Sequence, residues 1–270
     1  MEQTMSDEEL LTDFHEGVAV LTLNRPTVLN ALSVRMTEAL ITACDRCEHD
    51  SAIRCVVIRG AGEHFMAGGD VKSFHHSLTK DRDSYLRSRE RLVVGVHELI
   101  YQLRRMPKPV LASVKGAAAG FGLSLVLAAD LAIASDDAVF TLAYRHVGLS
   151  ADGGATYFLP RLVGERRALE LALLGERFTA ETAKHLGIVN WVTGSAALQE
   201  ETMALARRLA DGPTVALGLV KRLIRSSLDN SWDEQSHREA ESLAAAAATE
   251  DHLEGVTAFV EKRKPVFRGR

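Results

Sequence analysis

Apolar and polar positions alternate through Phe14-His15-Glu16-Gly17-Val18-Ala19-Val20-Leu21-Thr22-Leu23, which predicts a hairpin entering a strand. Asn24-Arg25-Pro26 ends that strand, and Ser33 stands where it would cap a helix running to about Glu48. A strand over Arg54 to Arg59 leads into a loop around Gly68-Gly69, and a long amphipathic helix follows from about Asp81 to Arg105. Pro107 and Pro109 punctuate before the strand Val110 to Val114. The next helix, about Gly120 to Asp130, is apolar on nearly every side, so it belongs inside a core. Short strands are expected at Leu131–Ala134 and Val139–Thr141, and one more at Ile188–Val192. From about Ala196 the period is helical throughout, over Leu198–Leu209, Pro213–Leu228, Trp232–Ala248 and His252–Lys262. Strands alternating with helices argue for an α/β fold with parallel pairing, followed by an all-helical end.

Size and composition narrow the function. A chain of 270 residues can bury a substantial core, as one large domain or a domain with an appendage. A net charge of −4 argues against a nucleic-acid partner, and the basic run Glu261-Lys262-Arg263-Lys264 is short enough to be a solvated helix end. The longest apolar stretch, near Leu123 to Ala134, is broken by Ser124 and Asp130, so no membrane span is expected. Met1 to Glu9 is polar and acidic without a signal-peptide core, which fits a cytoplasmic protein. Cys44, Cys47 and Cys55 read as structural thiols, and the histidines show no metal-ligand spacing, so no metal is expected. His75-His76 reads as a solvated pair after the glycine loop.

The candidate chemistry lies in two small-residue turns, each following a strand. One is Ala67-Gly68-Gly69 within Gly62 to Lys72; the other is Gly116-Ala117-Ala118-Ala119-Gly120-Phe121-Gly122, which opens a helix. Small residues let backbone N–H groups approach a ligand that side chains would block. Two such turns can each aim an N–H at one carbonyl oxygen and form an oxyanion hole.

Several stretches resemble the crotonase superfamily, the enoyl-CoA hydratase/isomerase family. They are Leu23-Asn24-Arg25-Pro26 with Asn30-Ala31-Leu32, Phe65 to Lys72, Val114 to Gly120, Ala129 to Ala134, and Phe259-Val260-Glu261-Lys262-Arg263. The resemblance runs from about Phe14 to Phe267 and keeps the family's order and spacing. It implies a crotonase-like spiral of ββα units with a helical C-terminal region. Residues 1–13 would form a tail, 14–195 the spiral core with an acyl-CoA site, and 196–270 a helical oligomerisation region. It further implies a homotrimer or dimer of trimers and an acyl-CoA thioester as ligand, with no cofactor beyond the coenzyme A of that substrate. By position, the amides of Gly69 and Phe121 would hold the thioester oxygen. Ala67, Asp70 and Val71 would contact coenzyme A through backbone atoms, and Thr27 and Val28 would line the nucleotide pocket. Phe259 and Lys262 would come from a neighbouring subunit.

The resemblance also bears on the reaction. Hydratases of the family use two glutamates, and in this chain those positions align with Ser124 and Tyr144. Hydration needs a base for water and an acid for the α-carbon, and neither side chain suits either task near neutral pH. Asp152, in Gly148 to Thr156, stands where the family's isomerases carry a proton-shuttling acid. An Asp before Gly-Gly also suits a turn or a helix cap, so the residue reads two ways. An enoyl-CoA isomerase is expected. The alternatives are a hydratase acting through Asp152 and an ordered water, a reaction with Asp152 as nucleophile, and a non-catalytic acyl-CoA binder. Tyr144 would either donate a hydrogen bond or wall the acyl pocket.

Overall fold

The computed structural model describes residues 8–270. Fully buried apolar residues in β2 (Val18–Leu23), β3 (Cys55–Gly60) and β4 (Val110–Val114) make them central strands, covered on both faces. With β1 (Leu10–His15), β6 (Leu131–Ser135) and β9 (Trp191–Thr193) they form a six-stranded sheet ordered β1-β2-β3-β4-β6-β9. The β1–β2 hairpin is antiparallel, and every other pair is parallel, with Val18 opposite Cys55, Val56 opposite Val110 and Leu111 opposite Leu131. The hairpin starts at Leu10, because Leu10 is buried opposite Leu23. The tail expected over residues 1–13 is therefore strand from Leu10 onward, and Met1 to Asp7 lie outside the described residues.

A second ladder gives the spiral. β5 (Ala117–Ala119) pairs parallel with β7 (Val139–Thr141), which pairs antiparallel with β8 (Phe178–Thr179). Single parallel bridges join Met66 to Ala118 and Leu32 to Gly69. β2, β3, β4 and β6 thus each hand the chain to a short segment of this ladder or its bridges before a helix returns it. Those helices are α1 (Val34–His49), α2 (Val71–Lys80) with α3 (Arg82–Arg105), α4 (Phe121–Ala128), and α5 (Ala155–Val163) with α6 (Glu165–Leu174). The segment read from sequence as a simple turn, Ala117–Ala119, is a strand of the ladder.

Local chemistry fixes the helices. The Ser33 hydroxyl accepts from the Met36 N–H at 3.0 Å, and Met36, Leu40, Ala43, Cys44 and Cys47 form the buried stripe of α1. All eight residues of α4 are buried, as its apolar composition requires. α2 buries none of its residues, and His75 and His76 are exposed on it. The remaining helices are α7 (Ala180–His185), α8 (Leu198–Ala210), α9 (Thr214–Ser226), α10 (Trp232–Ala247) and α11 (Glu250–Val260). The strand expected at Ile188–Val192 forms only over Trp191–Thr193, with Ile188 and Val189 buried in the approach to it.

The turn between α4 and β6 is locked by charge. The Asp130 carboxylate accepts from the Val110 N–H at 2.8 Å, pairs with Lys221 Nζ at 2.7 Å and also binds Arg225. Both cations lie on α9, so this cluster seats the C-terminal helices against the sheet. Among the described residues no helix is long and apolar enough to cross a membrane.

Candidate active site

The first glycine turn is held from three sides. The Phe65 and Met66 N–H groups donate to the carbonyls of Lys115 and Ala117 at 2.8 and 3.0 Å. The Ala67 N–H donates to Leu29 O at 3.0 Å, and Gly68 O accepts from the Leu32 N–H at 2.7 Å. Gly68 has a φ of +98°, a conformation that a side chain resists. The Gly69 N–H has no acceptor among the described residues.

Behind this turn stands Asn30, fully buried at a φ of +54°. Its amide nitrogen donates to Ala61 O at 3.0 Å and His64 O at 2.7 Å, while its oxygen accepts from the Arg25 N–H at 2.8 Å. Arg25 in turn reaches Ala31 O at 2.6 Å and Asp70 Oδ2 at 3.0 Å. Asp70 Oδ1 accepts from the Ser73 N–H at 3.1 Å and so caps α2. Partial burial of Asp70 opposes ionisation, yet the Ser73 N–H and the Arg25 guanidinium outweigh it and hold the carboxyl below its ordinary range.

The second turn joins β5 to α4. The Gly120 N–H donates to Thr141 O at 3.0 Å, and Gly120 has φ +52° and ψ −121°. Phe121 is the first residue of α4, and its N–H, like that of Gly69, has no acceptor among the described residues. The helix dipole favours negative charge at this point. The two turns touch: a β-carbon on Gly68 would lie 3.6 Å from the Phe121 nitrogen. A β-carbon on Gly122 would lie 2.2 Å from Met66 O, so only glycine lets α4 approach so closely.

Asp152 lies between a 3-10 turn at Tyr144–Val147 and α5. α5 is capped at Gly154 without a side-chain bond, so the Asp152 carboxylate is not its cap. Instead, Tyr144 Oη donates to Asp152 Oδ1 at 2.7 Å. Ser124 Oγ lies 3.0 Å from both Tyr144 Oη and the Asp152 carbonyl. Burial first, and the Asp152 charge second, push the Tyr144 phenol well above its ordinary value. A β-carbon on Gly153 would sit 2.8 Å from the Phe121 ring and 2.8 Å from Ser124 Cβ. The acid-bearing loop is therefore packed directly on the first turn of α4.

The other residues expected at the site divide into two groups. Thr27 and Val28 lie in a 3-10 turn whose neighbour Leu29 binds Ala67, so Thr27, Val28, Ala67, Asp70 and Val71 gather at one rim. Val71 and Thr27 are exposed there. Phe259 and Lys262 lie outside this cluster. Phe259 edges an apolar cleft with Pro213, Ala216 and Phe267, and exposed Lys262 follows the end of α11. One neighbour of the site escaped the sequence: the Phe74 ring of α2 lies over Gly69, 2.6 Å from where a β-carbon would stand. Arg89 stacks on that ring at 4.0 Å and on Tyr85 at 5.1 Å.

Known proteins share the sequence pattern and fold of this chain. The family model for enoyl-CoA hydratase/isomerase matches residues 13–270. The chain is 38% identical to 1,2-epoxyphenylacetyl-CoA isomerase of Escherichia coli over 97% of its length and 99% of that protein. It is 35% identical to trans-2-decenoyl acyl-carrier-protein isomerase of Streptococcus mutans, over 98% of this chain and all 100% of the other. Among solved structures, an enoyl-CoA hydratase from Bacillus anthracis superposes with a TM-score of 0.90 at 30% identity, covering 97% of this chain and 100% of that one. The names of the relatives are thus divided between isomerase and hydratase, while fold and coverage agree throughout. The chain belongs to the enoyl-CoA hydratase/isomerase family.

Proposed function

We propose that this enzyme moves the double bond of an enoyl-CoA thioester from the 3,4 to the 2,3 position. The observation that carries the reading is the packing of Gly153 on Phe121 and Ser124, which puts Asp152 beside the turn bearing the Phe121 amide. The thioester oxygen sits between the amides of Gly69 and Phe121. Asp152 removes a proton from C2, and the electron pair passes into a dienolate whose negative oxygen the two amides stabilise. The same carboxyl returns the proton at C4, so atoms and charge balance with one acid and no added water. The reaction requires no cofactor beyond the coenzyme A carried by the substrate.

The rim formed by Thr27, Val28, Ala67, Asp70 and Val71 takes the nucleotide and pantetheine. The C-terminal helices carry self-association into a trimer or dimer of trimers. Leu243, Leu253, Phe259 and Val260 all present apolar surface to solvent on α10 and α11, which favours burial against further copies. In such an assembly Phe259 and Lys262 approach the ligand of an adjacent subunit.

The test is spectroscopic. Purified enzyme mixed with a 3-enoyl-CoA should generate the absorbance of a conjugated thioester, and Asp152→Asn should abolish that signal while leaving thioester binding intact. An undiminished rate in the variant contradicts the role of Asp152. Loss of conjugated absorbance from a 2-enoyl-CoA, with no isomerisation, would instead identify a hydratase.

A further inference from the structure

Asp152 uses only part of its hydrogen-bonding capacity. Oδ1 accepts from Tyr144 Oη at 2.7 Å, whereas Oδ2 has no partner among the described residues. Tyr144 is in turn braced by Ser124, whose Oγ stands 3.0 Å from the phenol oxygen and which is completely buried. We infer that Tyr144, braced by Ser124, is the positioning residue that fixes the Asp152 carboxylate and reserves its Oδ2 oxygen for the migrating proton. This inference rests on the isomerase reading above and deepens it.

An unrestrained aspartate carboxyl has no fixed orientation. Rotation about its last side-chain bond exchanges the two oxygens, and a relay needs one oxygen to meet two carbons of the substrate in succession. A hydrogen bond from a neutral donor to an ionised carboxylate contributes about 1.5–3 kcal/mol, enough to select one rotamer. Toward the carboxylate, which only accepts, the phenol is the donor. Burial and the neighbouring negative charge hold its proton tightly, so Tyr144 steadies the carboxylate without exchanging a proton with it. Ser124 has one proton to share between the phenol oxygen and the Asp152 carbonyl, and either choice ties the loop to α4. Gly153 packs closely on Phe121 and Ser124, which holds the acid-bearing loop against α4. A carboxyl fixed in this way hands the proton that Oδ2 takes from C2 on to C4, whereas a carboxyl free to turn presents it to solvent.

The experiment compares wild type, Tyr144→Phe, Ser124→Ala and Asp152→Asn, each converting 3-hexenoyl-CoA in D2O, with rates and product mass both recorded. Tyr144→Phe should lower kcat by about 10- to 100-fold with KM within about threefold, the scale of a misplaced catalytic group. Its product should also carry more solvent deuterium at C4 than the wild-type product. A smaller fall in kcat, or a fall without the rise in deuterium, overturns the inference. Should Tyr144→Phe fail to fold, Ser124→Ala decides alone. It is expected to show the same rise in deuterium with a smaller loss of kcat, and a wild-type isotope pattern overturns the inference. Asp152→Asn separates the two levels. If it retains wild-type activity, the isomerase reading itself fails; if it is inactive while Tyr144→Phe behaves as wild type, only the positioning role fails.

Discussion

Gly68 and Gly120 approach so closely that a β-carbon on either would lie 3.6 Å from the α-carbon of the other. This contact sets the spacing of the two turns whose next residues, Gly69 and Phe121, present N–H groups without acceptors among the described residues. A substitution at Gly68 faces two penalties, a φ of +98° and a β-carbon 3.1 Å from Ala119 O. Gly68→Ala should therefore spread the turns and lower kcat/KM by about 10²-fold or more, as the loss of an oxyanion donor does. Steady-state assay of the variant checks this, with circular dichroism confirming a native fold.

Gly153 plays the matching part for the acid. Its φ is +60°, and a β-carbon would meet both the Phe121 ring and Ser124 Cβ at 2.8 Å. Gly153→Ala should displace Asp152 from α4 and destabilise the fold by about 1–3 kcal/mol through overpacking and backbone strain. Denaturant unfolding measures the second effect, and kcat, expected to fall by at least tenfold, measures the first.

Much of this was legible in the chain. The glycine turns announce themselves because few purposes other than close approach require Gly68, Gly69 and Gly120 after strands. α2 escaped because its apolar stripe, Val71, Phe74 and Leu78, is short, lies among polar residues and is not buried in the fold. The strand Ala117–Ala119 escaped because three alanines carry no strand signature; pairing with Val139–Thr141 makes it one. Phe74 escaped along with α2. Tyr144 was visible as a candidate, but its role depends on a 3-10 turn entered through Ala143 at a φ of +41°, a geometry no side-chain pattern encodes.

Asn30 is the keystone behind the first turn. Asn30→Ala would leave the Ala61 and His64 carbonyls and the Arg25 N–H without their partners, at a φ of +54° that alanine tolerates poorly. The expected cost is about 3–5 kcal/mol, from several buried hydrogen bonds lost together. The midpoint of chemical denaturation gives the number, and a change below about 1 kcal/mol would contradict this bracing role of Asn30.

Stability should depend on pH in the alkaline range through buried thiols. Burial pushes the Cys47 thiol up to about 11 and Cys55 up to about 12, and it raises Cys44 further, all from an ordinary 9.0. Unfolded thiols ionise at pH 9 while the folded ones keep their protons, so the folded state is favoured below pH 9 and loses stability above it. Lys221 acts in the opposite sense. Burial lowers it to about 8 from 10.5, so its deprotonation adds stability between those values. Unfolding midpoints under reducing conditions should rise slightly from pH 8 and then fall above 9. Replacing Cys44, Cys47 and Cys55 together with alanine should remove the fall; an equal fall in the replaced protein would contradict the assignment.

A crystal structure of the enzyme with an acyl-CoA analogue that cannot isomerise puts the proposed geometry to the proof. The thioester oxygen should lie within about 3.2 Å of the nitrogens of both Gly69 and Phe121. The Asp152 Oδ2 oxygen should lie within about 3.5 Å of C2. A thioester oxygen bound by neither amide, or an Asp152 carboxylate turned away from the acyl chain, would overturn the isomerase mechanism.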